Sequence, residues 1–159
     1  MPQSDREMAR LEKTRAQYDQ MADALKRVVA DYNQAIDVAR DRIRILPGEG
    51  EAPTQRGAEG RTLILQRRNA FMRLLMGSSG TIQITWGYEV PATGDRVFPE
   101  VNRLMLDTRN DWQLYRFRED KETHLERFDP DPGRLAKVLV ERLVANAAIP
   151  PEMRPALAL

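Results

Sequence analysis

Three observations predict an α+β fold. An apolar stripe of helical period runs through residues 5–46, a nearly continuous apolar run fills residues 61–76, and from Thr81 to Phe128 the period changes to two. The expected architecture is a long amino-terminal helix and a second, buried helix packed on an antiparallel β-meander of about four strands. A carboxy-terminal helix closes it.

In the first segment, a heptad started at Leu11 places Leu11, Tyr18, Leu25 and Tyr32 in one column and Thr14, Met21, Val28 and Ala35 in the next. Val29 and Ile36 extend the stripe into a third. Such a stripe is wider than a two-stranded seam and suits a helix with more than one neighbour. Ser4 or Asp5 can cap its start, and Pro47-Gly48 ends it. About forty helical residues span ~60 Å, whereas a compact domain of this length measures roughly 40 Å across. The helix therefore breaks, projects, or lies along a second copy. Self-association in a coiled-coil manner is expected, through Leu11, Tyr18, Met21, Leu25, Val28, Val29, Tyr32 and Ile36.

Residues 47–60, PGEGEAPTQRGAEG, hold no large apolar residue and read as a flexible linker. No Walker spacing accompanies their glycines. The next stretch, RTLILQRRNAFMRLLM, reads as a helix from Arg61 to Met76. Its polar strip is narrow (Thr62, Gln66, Asn69, Arg73), and a helix apolar nearly all round is a buried one. From Arg61 to Tyr88 there is no acid, so the same stretch also raises a polyanion surface.

Strands are expected over Thr81–Tyr88, Val97–Asp107 (broken or bulged near Pro99), Trp112–Arg118 and Thr123–Phe128. Short turns join them, which implies antiparallel neighbours. Asp131 as cap with Pro132 in the first turn starts a helix over 132–147. The tail, 149–159, is proline-rich. The units are thus an oligomerisation helix (1–46), a linker (47–60), an α+β domain (61–148) and a tail.

The chain has 159 residues, a formal net charge of +1 and no cysteine. Disulfides, thiolate nucleophiles and cysteine-based metal sites are excluded. Arginine outnumbers lysine 21 to 4, a bias that fits a GC-rich bacterial genome. No apolar run reaches a membrane span, and the polar start does not resemble a secretory signal, so a cytoplasmic protein is expected. His124 is the single histidine; on an alternating strand it shares a face with Glu122 and Glu126, an arrangement read as an exposed charged face. The pairs Asp19/Asp23 and Asp37/Asp41 read as solvated helix surface. No catalytic, metal-ligating or cofactor-binding set emerges.

These readings point to a non-enzymatic interaction, assembly or adaptor module that forms a homo-oligomer and meets a further protein partner. The alternative is nucleic-acid binding through the stretch Arg61–Arg73 and the sheet aromatics, with Arg67, Arg68, Arg73, Arg116 and Arg118 as candidate contacts.

Overall fold

The computed structural model describes residues 2–46, 61–77, 80–107, 109, 111–118, 121–128 and 131–148. The chain is α+β, with a helix before and a helix after one large antiparallel sheet. The linker 47–60 and the tail 149–159 lie outside the described residues. No helix among the described residues is long and apolar enough to cross a membrane.

Helix α1 spans Pro2–Gln34, 33 residues, rather than running to residue 46. Ala, Leu, Glu, Lys, Gln, Arg and Met dominate it, all strong helix formers. It ends without glycine or proline. The Ala35 amide bonds to Tyr32 O and the Ile36 amide to Asn33 O, the tightened last turn that releases a helix. The Asn33 side chain then grips Ile43 from both sides, accepting from its N–H (2.8 Å) and donating to its C=O (2.9 Å). That clamp turns the chain back through a 3₁₀ turn, Ala39–Asp41, into strand β1, Arg44–Leu46.

The expected second helix is instead a hairpin: β2, Thr62–Arg67, and β3, Ala70–Met76. Its two-residue turn places Arg68 at φ 52°, in the left-handed region. The run shows no alternation because both of its faces are largely buried, and a strand buried on both faces reads like a buried helix.

The next four strands are β4 (Ile82–Glu89), β5 (Arg96–Leu106), β6 (Trp112–Arg118) and β7 (Lys121–Phe128). These are the meander the alternation predicts; with β1–β3 the sheet has, among the described residues, seven strands in sequential order, not about four. Between Trp86↔Glu100 and Tyr88↔Val97 one extra residue enters β5, the bulge expected at Pro99. Helix α2, Pro132–Ala147, begins with the Asp131 carboxylate accepting from Gly133 N at 3.0 Å.

Both helices cover the same side of the sheet. The core between them holds Tyr18, Met21, Leu25 and Val29 of α1 and Leu135, Leu139 and Leu143 of α2. From the strands it takes Leu65, Met72, Leu74, Ile82, Ile84, Leu104, Trp112 and Phe128. At one end Leu11 approaches Gly80; at the other Tyr32 meets the Arg67 guanidinium. Residues 2–46 are therefore part of the same core as the rest. Ile64 and Phe71 are also buried, but on the opposite face of the sheet, outside that cluster.

Candidate functional site

The self-association stripe is spent inside the chain. Tyr18, Met21, Leu25 and Val29 are at most 3% exposed, and Leu11, Val28 and Tyr32 pack against them from the margin. Ile36 lies beyond the helix end, half-buried. A stripe that seemed too apolar for water is instead covered by α2 and the sheet.

The five candidate arginines are scattered. Arg67 is buried at the α1 edge, donating from Nε to Asp41 O (3.0 Å), with its guanidinium 6.0 Å from the Tyr32 ring centre. Arg68 forms an ion pair with Asp41 at 2.8 Å and, through that hydrogen bond first, holds the Asp41 carboxyl below the ordinary range. Arg73 stands on the helix-free face of the sheet. Arg116 lies on the helix side, 3.5 Å from Glu100. Arg118 ends β6, and its side chain lies outside the description. No common surface gathers the other four. Asp19 pairs with Arg61 (3.2 Å) and Asp41 with Arg68, so one member of each aspartate pair is an ion-pair partner on the α1 side.

The His124 cluster is also divided. Tyr115 pairs with His124 but Leu114 with Glu126, so Leu125 is an extra residue in β7. That bulge moves Glu126 to the helix side and leaves Glu122 and His124 on the helix-free face.

On that face the register builds two rows across the strands. Gln83, Arg103, Tyr115 and His124 form one, and Thr85, Val101, Phe117 and Glu122 the next. The Arg103 guanidinium lies 5.7 Å from the Phe117 ring centre and 3.4 Å from Glu122 Oε1. The Tyr115 and His124 rings meet edge to face, 5.3 Å apart. Phe117 remains 40% exposed.

A hydrogen-bond chain braces this surface from the β5–β6 turn. Asp107 Oδ1 accepts from the amides of Arg109 (2.8 Å) and Asp111 (3.0 Å), and Oδ2 accepts from Gln113 Nε2 (2.8 Å). The Gln113 amide, above all, holds the Asp107 carboxyl below its ordinary range. With its nitrogen committed to a carboxylate, Gln113 must turn its oxygen to His124 Nε2, 2.6 Å away. His124 Nε2 therefore carries a proton, and in the neutral ring Nδ1 is the acceptor.

Further arginines share this face. Arg96 covers the Phe71 ring at 4.7 Å, and Arg127 lies 3.8 Å from Asp111. Glu89, paired with Arg96, and Glu122 are acids on the same face. Comparison of the chain with protein-family models, curated proteins and solved structures found no match.

The interleaving of Arg103 with Tyr115 and Phe117 is what sequence reading missed. Within β6 the arginines and aromatics alternate sides, but the register brings Arg103 of β5 beside the β6 aromatics. The signal was the parity of Arg103 relative to Leu104 and Leu106.

Proposed function

We propose that the chain is a non-enzymatic, cytoplasmic interaction module whose working surface is the helix-free face of the sheet, presented to a protein partner. One observation carries the reading: half-exposed Phe117 stands beside Tyr115, His124 and Arg103, each held in place by a neighbour. Aromatics and arginine are the residues enriched at protein interfaces and their energetic centres. Pre-formed contacts also lower the ordering cost of docking. The homo-oligomer or adaptor role moves with this surface, away from the helix stripe.

Replacing Phe117 with a photoreactive phenylalanine analogue and irradiating in cells tests it, with the same analogue at exposed Arg27 of α1 as control. Polypeptide adducts are expected at 117 and not at 27. No adduct at 117, or the same adducts at both positions, would overturn the reading.

A second reading has its own support. Arg103 among Tyr115 and Phe117, with Arg96 on Phe71, supplies guanidinium and ring surface together, as single-stranded nucleic acid requires. That reading expects retention of single-stranded RNA or DNA that falls steeply with salt and is lost in Arg103→Glu. Retention that salt does not change removes it.

A further inference from the structure

On the other side of the sheet, Trp86 of β4, Glu100 and Asn102 of β5 and Arg116 of β6 stand together, and Arg142 of α2 reaches over them. The register sets Trp86 opposite Glu100 and Asn102 opposite Arg116. Arg142 Nη2 donates to Glu100 Oε1 at 2.6 Å, and its guanidinium lies 4.8 Å from the Trp86 ring centre. The Trp86 indole N–H donates to Asn102 Oδ1 at 2.7 Å.

Two donors are left over. Asn102 is 0% exposed, yet its Nδ2 meets no acceptor among the described residues. Arg116 Nε is likewise shielded from solvent without a hydrogen bond, since Glu100 Oε1 at 3.5 Å offers ion-pair distance but not the geometry. Native proteins seldom leave buried donors unmatched, and each calls for an acceptor that the described residues do not supply, from water or from a ligand. The charges agree with this: among the described residues two guanidiniums, Arg116 and Arg142, face one carboxylate, Glu100. Asn102 and Trp86 are buried, at 0% and 3% exposed, and the charged side chains beside them form a half-exposed rim. Side-chain exposure on that rim is 41% at Arg116, 29% at Glu100 and 32% at Arg142.

We infer that this cluster binds a carboxylate. One carboxylate oxygen accepts from Asn102 Nδ2 and the other from Arg116 Nε, and its single charge offsets the unmatched guanidinium. A phosphate dianion suits the cluster less well, because Glu100 would repel the second charge. The site lies on the opposite side of the sheet from Phe117 and does not depend on the interaction surface.

Trp86 reports directly on occupancy, because Asn102 holds its indole N–H. Tryptophan emission of the full chain is titrated with sodium acetate and sodium benzoate, with sodium chloride at matched ionic strength as the reference. A saturable change is expected with the carboxylates and not with chloride. It should be absent in Asn102→Leu and weakened at least tenfold in Arg116→Gln. The Arg116 position is half-exposed, so that variant keeps the test open if Asn102→Leu fails to fold. A short peptide with a free carboxy terminus, set against its amidated form, separates the two sources. Tighter binding of the free-terminus peptide than of acetate assigns the site to a polypeptide end, and equal binding assigns it to small acids. No saturable change, the same change with chloride, or an undiminished change in both variants would overturn the inference.

Discussion

The Tyr18 hydroxyl of α1 donates to the Leu74 carbonyl of β3 across 3.3 Å, in the buried seam between helix and sheet. Burial first, then Asp19, holds this phenol well above its ordinary value of 10.0, with Arg61 opposing. A folded-state pKa above the unfolded one means the fold favours the neutral phenol. Its contribution is whole below about pH 10 and is lost as pH rises beyond. Tyr18→Phe is predicted to cost about 1 kcal/mol near neutrality. In urea melts at rising pH it should also lose less stability than wild type above about pH 10.

Asp107 should show the opposite limb. Its carboxyl is held below the ordinary range by Gln113 and by the Asp111 and Arg109 amides. The associated stability is present above the ordinary aspartate value and is lost as pH falls from there through the lowered value of the folded chain. Asp107→Asn should therefore flatten the fall in melting temperature between about pH 5 and pH 3. It also frees the Gln113 amide to rotate. Nitrogen chemical shifts of the His124 ring should then report a mixture of tautomers, where wild type shows the proton on Nε2.

Gly80 turns the chain into β4 at φ +78°, with Leu11 of α1 close by. A Cβ there meets Leu11 Cδ1 at 3.7 Å, an ordinary contact, so the cost of Gly80→Ala is in the backbone. A loss of about 1–2 kcal/mol is expected in thermal or urea melts.

Phe117 and Leu25 should behave as opposites. Phe117→Ser, on the helix-free face, should change stability by less than about 1 kcal/mol while abolishing pull-down of the partner that crosslinking at 117 identifies. Leu25→Ala, at 0% exposure, should cost about 2–5 kcal/mol.

Much of this fold can be read from residue order, and the places where it cannot share one cause. The alternation from Ile82 to Phe128 and the Asp131–Pro132 start of α2 are local signals, and the structure carries them as strands and a capped helix. RTLILQRRNAFMRLLM was ambiguous because alternation needs one wet face, and β2 and β3 have almost none. Arg68-Asn69, a polar break between two apolar runs of strand length, was the available clue. The end of α1 at Gln34 depends on the Asn33 clamp to Ile43, ten residues on, which no local rule encodes. The Arg103–Tyr115–Phe117 surface depends on pairing between strands, and the separation of Glu126 from His124 on one bulge at Leu125. Local preference places elements; cross-strand register places sites.

The α1 stripe packs into the core of its own chain, and the proposed function rests on that packing. The most direct test compares urea midpoints of wild type and Leu25→Ala across a hundredfold range of protein concentration. If Leu25 packs within its own chain, the difference between the two midpoints stays constant on dilution. If the stripe instead joins two copies, the wild-type midpoint falls on dilution, the Leu25→Ala midpoint does not, and the difference closes.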